Sequence, residues 1–117
     1  MIKLVVSDVD GTLVEDGSNY IDPRLLEAIV RLRDKGLQFA VASGRPVTSI
    51  ESLFAPVKNK IFYLADNGAY VGCYGRILYT TPVDKKTALE LIEDVRRLDG
   101  CELVISGPRM EYLETKD

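Results

Sequence analysis

The spacing of apolar residues predicts a strand, a helix and a second strand within residues 2–42. Residues 2–6 are apolar except for Lys3, and such a run is typical of a strand covered on both faces, as in the parallel sheets of α/β folds. Apolar residues then recur at helical spacing through Leu25, Ile29 and Leu32, and residues 37–42 form a second apolar run. This order predicts two parallel strands joined by a right-handed helical crossover.

The ends of the first helix are marked by residues with known capping preferences. Asp22 is a suitable N-cap, Pro23 suits the first helical position, and Gly36 stands where a left-handed residue commonly closes a helix. We therefore predict a helix between Asp22 and Gly36.

The character of the chain changes near residue 81. A second helix over 47–54 and a third apolar strand over 61–65 continue the α/β pattern. The later predicted elements are a hairpin of strands 70–74 and 76–80 around Gly75, a helix over 85–98, and strands over 101–106 and 110–113 separated by Gly107-Pro108. We therefore predict an α/β fold with a domain boundary that separates residues 1–81 from residues 82–117.

Composition excludes several classes of function. The 117 residues have a mean hydropathy of +0.01 and a net charge of −3, with scattered basic residues, so neither a membrane span nor a nucleic-acid surface is expected. No signal peptide is recognisable, which predicts a cytoplasmic location. The chain has no histidine, and its two cysteines lack metal-ligand spacing, so a zinc site and histidine-based acid–base catalysis are not expected. Cys73 and Cys101 are predicted to be buried or half-buried small apolar residues.

Two aspartates directly after the first strand form the main candidate site. Asp8 and Asp10 are two residues apart, so their side chains can point the same way from the strand end. Converging carboxylates are unfavourable unless a cation or a proton lies between them. Gly11 then allows a tight turn that can approach a ligand closely. These residues predict a site rather than a packing feature.

Polar turns also follow the second and third strands. Ser43, Gly44 and Arg45 precede the second helix, where a hydroxyl, a free amide and a guanidinium can bind a phosphate. Asn67 and Gly68 follow the third strand. The alternative interpretations are a plain capping turn with an exposed arginine and an ordinary Asn-Gly turn. Because open α/β sheets bind ligands at the carboxyl ends of their strands, the functional interpretation remains open at both turns.

These residue types suit phosphoryl transfer. An aspartate nucleophile at Asp8 would form an aspartyl-phosphate, and Asp10 could act as the acid and base. Mg²⁺ prefers oxygen ligands and would neutralise the approach of one anion to another. Ser43 and the amides near Gly11 and Gly44 would hold the phosphoryl oxygens, since positioning and electrostatics dominate this chemistry.

The motif DVDGTL at residues 8–13 resembles the DxDGT signature of the haloacid dehalogenase-like hydrolases. VASGRP at 41–46 and DNGA at 66–69 resemble the Cof-type, sugar-phosphatase-like branch of that superfamily. The resemblance implies a three-layer Rossmann-like core, in which helices cover both faces of a parallel sheet, followed by the start of an α+β cap. It also implies a magnesium-dependent phosphatase of small phosphorylated metabolites, such as sugar phosphates or phosphoglycolate.

The resemblance implies a role for each residue that matches a motif. Asp8 would be the nucleophile and a Mg²⁺ ligand, and Asp10 would be the acid and base and bind Mg²⁺ through its carbonyl oxygen. Thr12 and Ser43 would contact the phosphate. The residues expected near the leaving group are Arg45, Asn67 and Gly68.

The resemblance covers only about the first half of a family member. The lysine that neutralises the phosphate and the GDxxxD segment that completes the Mg²⁺ site have no counterpart, and Lys116 and Asp117 lack that context. We therefore expect an incomplete core, an uncovered apolar first strand, and either a homodimer or a complementing C-terminal chain. A non-catalytic remnant that binds Mg²⁺ and phosphate weakly is the alternative function.

A receiver domain that accepts a phosphoryl group on Asp66 is a further alternative. Receivers carry an adjacent acidic pair, whereas Val9 separates the two aspartates here. The later part of the chain is also predicted to be rich in hairpins rather than in further βα units. The pattern therefore favours the hydrolase.

Overall fold

The computed structural model describes residues 1–115, so Lys116 and Asp117 of the predicted cap region lie outside the described residues. In chain order the helices and strands are β1 Leu4–Asp8, α1 Pro23–Asp34, β2 Gln38–Ala42, α2 Val47–Leu53, β3 Phe62–Ala65, β4 Tyr70–Cys73, β5 Arg76–Thr80, α3 Lys85–Arg96, β6 Leu103–Ser106 and β7 Glu111–Glu114. Each helix and strand predicted from the sequence is present, with ends that differ by no more than two residues.

Five strands form one sheet in the order β1-β2-β3-β4-β5. β1, β2 and β3 are parallel, whereas β4 and β5 are antiparallel to their neighbours. The predicted parallel pair and the predicted hairpin are therefore both confirmed. The α/β, Rossmann-like fold is confirmed as an incomplete core.

Helix α1 begins and ends where its capping residues predict. A carboxylate oxygen of Asp22 accepts a hydrogen bond from the Arg24 amide at 2.9 Å, and Pro23 occupies the first helical position. Gly36 has a φ of 84°, the left-handed conformation that a non-glycine residue adopts only at a cost. Local sequence therefore sets the length of the crossover between β1 and β2.

The hydrophobic core lies on one face of the sheet. Phe39 and Val41 of β2 and Tyr63 of β3 pack there in a buried cluster with Ile29 of α1 and Ile50 of α2. Both helices of the parallel part therefore cover the same face. This face contains the largest fully buried side chains of the described residues.

The prediction that β1 is covered on both faces is wrong for residues 1–115. Leu4 and Val6 point to the face opposite the core, and they are 51% and 53% exposed. β1 is an edge strand that pairs only with β2 in the described part of the chain. No described element packs over the second face of β1, so the expectation of an uncovered apolar first strand, drawn from the partial resemblance, is confirmed instead.

The later part of the chain contains helix α3 and a second sheet, the antiparallel pair β6–β7. Arg96 of α3 forms an ion pair with Glu114 of β7 at 2.7 Å, and the Ser106 hydroxyl donates a hydrogen bond to Asp66 at 3.0 Å. The division of the chain at residue 81 stays a prediction.

Two further predictions from the sequence concern the burial of the cysteines and the presence of membrane-spanning helices. Cys73 and Cys101 are both free thiols of intermediate burial, which agrees with their predicted half-buried character. None of the helices within residues 1–115 has the length and apolar character needed to cross a membrane.

Candidate active site at the strand ends

The carboxyl ends of β1, β2 and β3 border a cavity of about 330 Å³. Asp8, Ala42 and Leu64 are neighbours in the parallel register, so the three strands end at one level. The residues that line the cavity are Asp8, Ala42, Ser43, Gly44, Leu64, Asn67 and Gly68. The structure thus brings five of the nine predicted site residues together, and it places Asp10, Gly11, Thr12 and Arg45 outside the lining.

Asp8 presents an available carboxylate to this cavity. Its Oδ1 atom accepts a hydrogen bond from the Val9 amide at 2.9 Å. No lysine or arginine within residues 1–115 lies at ion-pair distance from Asp8. The side chain is therefore accessible as a nucleophile or as a metal ligand.

The turns after β2 and β3 are held together by their own backbones. The Ser43 amide donates to the Leu64 carbonyl at 2.9 Å, and the Asn67 amide donates to the Ser43 carbonyl at 3.0 Å. The buried Ser43 hydroxyl accepts a hydrogen bond from the Arg45 amide at 2.9 Å. A Cβ atom at Gly44 would lie 3.1 Å from Asn67 Oδ1, so the glycine allows the two turns to meet.

Asn67 and Gly68 adopt the conformations that an Asn-Gly turn requires. Asn67 has φ and ψ of 57° and 33°, and Gly68 has a φ of 92°. The turn reverses the chain between β3 and the antiparallel β4. The alternative roles of Ser43 and Asn67 as turn residues are therefore observed, and the same residues also line the cavity.

Arg45 forms a bidentate ion pair with Asp10. Its Nε and Nη2 atoms donate to the two carboxylate oxygens at 2.9 and 2.7 Å. Nη2 also donates to the Ser18 carbonyl at 2.6 Å, and the Gly17 amide donates to Asp10 at 2.9 Å. The side chain of Arg45 is 11% exposed and that of Asp10 is 26% exposed. The pair therefore fixes the loop after β1 against the turn after β2.

This ion pair lowers the pKa of Asp10. The Arg45 guanidinium, and next the Gly17 amide, lower the pKa of Asp10 from 3.8 to about 2. The same contact raises the pKa of Arg45. Asp10 is ionised at neutral pH with or without this contact, and the lowered pKa makes its carboxylate a weaker base. A role as an acid requires Asp10 to leave Arg45 and take up a proton.

Sequence reasoning missed this pair. The two residues are 35 positions apart, and neither hydrophobic periodicity nor turn chemistry connects them. The polar loop 15–18, which supplies the Gly17 amide and the Ser18 carbonyl, was the only nearby signal.

Gly11 and Thr12 form a tight turn immediately after Asp10. Gly11 has a φ of 77°, and its amide donates to the Val14 carbonyl at 2.8 Å. The Thr12 amide donates to the Val9 carbonyl at 3.2 Å, and the residue is exposed. The predicted phosphate-binding roles of Gly11 and Thr12 therefore stay predictions.

The oxygen atoms of Asp8 and Asp10 near the cavity suit a magnesium ion that keeps most of its bound water molecules. No cluster of three or more acidic, cysteine or histidine side chains capable of holding a metal is present among residues 1–115. Mg²⁺ is commonly held by one or two carboxylates with water and substrate oxygens completing the shell. The Asp8 carboxylate has room for such an ion, whereas both oxygens of the Asp10 carboxylate are bound by other residues. The main-chain carbonyl oxygen of Asp10 is therefore the second atom expected to bind the ion.

Comparison with known proteins decides the family. The sequence model of the haloacid dehalogenase-like hydrolases matches residues 5–116. The chain belongs to this family. A crystal structure from Eubacterium rectale matches with 42% identity and a TM-score of 0.85, over 97% of this chain and 43% of that one.

Two further relatives carry functional names. The 5-amino-6-(5-phospho-D-ribitylamino)uracil phosphatase YbjI of Escherichia coli is 27% identical over 95% of this chain and 41% of its own length. The subclass IIB sugar phosphatase BT4131 shares the fold, with 23% identity and a TM-score of 0.71 over 95% of this chain and 43% of its own. The haloacid dehalogenase-like chain described here thus spans less than half the length of these relatives.

Proposed function

We propose that the protein takes part in magnesium-dependent hydrolysis of small phosphate monoesters through an aspartyl-phosphate on Asp8. The observation that supports this most directly is the Asp8 carboxylate, which faces the cavity at the strand ends and has no cationic partner among the described residues. Membership of a hydrolase family and the phosphatase names of the relatives support the same class of reaction.

Each residue has a defined task in this proposal. An Asp8 oxygen attacks phosphorus while the ester oxygen leaves and takes up a proton from Asp10. Water then attacks phosphorus, gives a proton to Asp10, and releases phosphate and the free Asp8 carboxylate. Asp10 would give the first proton and accept the second once its contact with Arg45 opens. When bound to the Asp8 carboxylate and the Asp10 carbonyl, Mg²⁺ would offset the repulsion between the carboxylate and the phosphate.

The turns around the cavity would bind the substrate. The Ser43 hydroxyl and the Gly44 amide are expected at the phosphoryl oxygens, together with Gly11 and Thr12. The residues expected nearer the leaving group are Arg45, Asn67 and Gly68. Since Arg45 is bound to Asp10 in this structure, we propose that it reaches the substrate only if that contact opens.

The names of the relatives support a sugar or polyol phosphate as the substrate class. Phosphoglycolate stays within the proposal as well, since some of the relatives are named phosphoglycolate phosphatases. The cytoplasmic location and the association as a homodimer or with a complementing C-terminal chain are also predictions.

A non-catalytic protein that binds Mg²⁺ and phosphate weakly is the second candidate. It is favoured by the lack of a cation near Asp8 among residues 1–115, because a phosphate dianion beside a carboxylate needs neutralisation. Both candidates would bind Mg²⁺ and phosphate, but only the phosphatase would hydrolyse a phosphate monoester.

The test is hydrolysis of p-nitrophenyl phosphate with and without Mg²⁺, by the 117-residue chain and by its Asp8→Asn variant. The phosphatase proposal predicts a Mg²⁺-dependent rate that falls by about 10³-fold or more in Asp8→Asn. Asp34→Asn, at the exposed end of α1, is the matched control and should keep the full rate. A rate that survives Asp8→Asn contradicts the proposal, and phosphate binding without turnover favours the second candidate.

A further inference from the structure

A second cavity, of about 580 Å³, lies between helix α2, the hairpin β4–β5 and the turn that joins β6 to β7. Its lining includes Thr48 and Glu51 of α2, Tyr70 and Arg76 of the hairpin, and Arg109 of the turn. None of its described lining residues belongs to the cavity at the strand ends. Sites for small molecules commonly have volumes of about 300–1,000 Å³. The second cavity is therefore large enough to hold a metabolite of its own.

Three charged side chains around the second cavity have no partner of opposite charge. Glu51, Arg76 and Arg109 form no ion pair within residues 1–115, although they line one cavity. The cavity keeps the carboxylate apart from both guanidinium groups, so each group is left to bind solvent or a ligand. The lining has a net charge of +1, which favours an anion.

Tyr70 brings a hydroxyl group to the second cavity. The residue is only 7% exposed, and none of the described side chains or backbone groups forms a hydrogen bond with its hydroxyl. Fully buried polar side-chain atoms all have partners in the described part of the chain, so this oxygen reaches a cavity. A hydroxyl group on a buried residue normally has a hydrogen-bond partner, so a group from outside the protein is expected to supply one here.

The position of Glu51 indicates which cavity the Tyr70 hydroxyl faces. Tyr70 also borders a smaller cavity of about 230 Å³, which Glu51 does not line. Burial, and next the Glu51 carboxylate, raise the pKa of Tyr70. The hydroxyl therefore stays protonated at neutral pH, and it lies on the side of the second cavity.

We propose that the second cavity binds a small organic anion that also carries a hydroxyl group. A carboxylate or phosphate of the ligand accepts hydrogen bonds from Arg76 and Arg109, since a guanidinium group can bind either anion through two parallel bonds. The Tyr70 hydroxyl donates to the same anion. The hydroxyl group of the ligand donates to Glu51, whose carboxylate would repel an anion without such a donor.

The experiment titrates the 117-residue chain with L-malate and with glycerol 3-phosphate, without Mg²⁺, and follows the backbone amide NMR signals. Both probes combine an anionic group with a hydroxyl, and the tighter one identifies the anion that the cavity prefers. Saturable shifts are expected at Thr48, Tyr70 and Arg76. Shifts only at Ser43 and Gly44, or no saturation by about 10 mM of either probe, would overturn the proposal.

Replacement of single arginines separates a specific contact from a general effect of charge. Arg76→Gln is expected to weaken binding by about tenfold, the loss typical of one charge-assisted hydrogen bond. Arg31→Gln on α1 is the matched control, because Arg31 is also exposed and forms no ion pair among the described residues. It should change the affinity by no more than about twofold, since exposed charges are screened by salt. Equal losses in the two variants would overturn the proposal.

The two remaining contacts are tested separately. Tyr70→Phe should weaken binding by about threefold or more and leave the free energy of unfolding unchanged, because the hydroxyl bonds nothing in the described protein. Unchanged affinity, or a loss of stability as large as that of Tyr63→Phe, would contradict this. Succinate, which is malate without the hydroxyl, should bind about threefold more weakly than malate, and Glu51→Leu should remove this preference. Equal binding of malate and succinate by the unmodified chain would overturn the assigned ligand class.

This site does not depend on the proposed phosphatase activity. Asp8→Asn should abolish hydrolysis and leave malate binding unchanged, whereas Arg76→Gln should weaken malate binding and leave hydrolysis unchanged. Failure of hydrolysis alone counts against the proposed function, and failure of binding alone counts against the second cavity as a ligand site.

Discussion

Replacement of Arg45 by leucine should raise the pKa of Asp10. Arg45 supplies the largest of the interactions that lower this pKa to about 2, through the bonds of 2.9 and 2.7 Å to both carboxylate oxygens. Without the guanidinium the pKa should return towards about 3.9, the ordinary value of an aspartate. The measurement is a titration of the carboxyl-carbon NMR signals, with amide signals reporting at each pH that the chain stays folded.

The exposed pair Asp22 and Arg24 provides an internal control. Arg24 also lowers the pKa of Asp22, so the Asp22 signal should not move in Arg45→Leu. Arg24→Leu should shift the Asp22 signal and leave Asp10 unchanged. An Asp10 midpoint that is the same with and without Arg45 would refute the reasoning, as would an ordinary midpoint in the unmodified protein.

The same shift predicts how stability depends on pH. Because the folded pKa of Asp10 is depressed, its stabilising contribution is fully present above about pH 3.9. It is lost as the pH falls through about 2. The difference in free energy of unfolding between the unmodified protein and Arg45→Leu should therefore shrink over this window, as measured by urea unfolding at a series of pH values.

Three other substitutions test the packing that supports the site. Tyr63→Phe should lower the free energy of unfolding by about 1–3 kcal/mol, because the buried hydroxyl bonds a backbone carbonyl and a backbone amide at 2.8 and 3.0 Å. Urea unfolding measures this, and Tyr112→Phe, at a residue 56% exposed, should have little effect. Asn67→Ala should cost about 1–2 kcal/mol because of its φ of 57°, and Asn67→Gly should restore most of that loss. Gly44→Ala should displace the Asn67 side chain, whose Oδ1 would lie 3.1 Å from the new Cβ, and an unchanged Asn67 side-chain amide NMR signal would contradict this.

The parts of the fold that depend on local interactions were predictable from the sequence. The limits of α1 follow from Asp22, Pro23 and Gly36, and the parallel order of the first strands follows from the crossover they share. The grouping of Asp8 with the turns after β2 and β3 follows from that order. Turn chemistry and periodicity are local properties, so they can be recognised without coordinates.

The remaining features depend on contacts between distant segments. Arg45 binds Asp10 in the folded chain, where the loop 15–18 contacts both residues. No sequence periodicity links these residues, so the contact could not be predicted. The apolar character of Leu4 and Val6 alone predicted burial, because a strand has the same composition with or without a covering layer. Their exposure was expected only from the partial resemblance to the family.

The most direct test of the central claim is to locate the phosphorylated residue. The chain is incubated with acetyl phosphate and Mg²⁺. Borohydride then reduces any aspartyl-phosphate to homoserine, and peptide mass spectrometry locates the modified position. The account predicts homoserine at position 8 and its absence in Asp8→Asn. Homoserine at position 10, or at no aspartate, would contradict it.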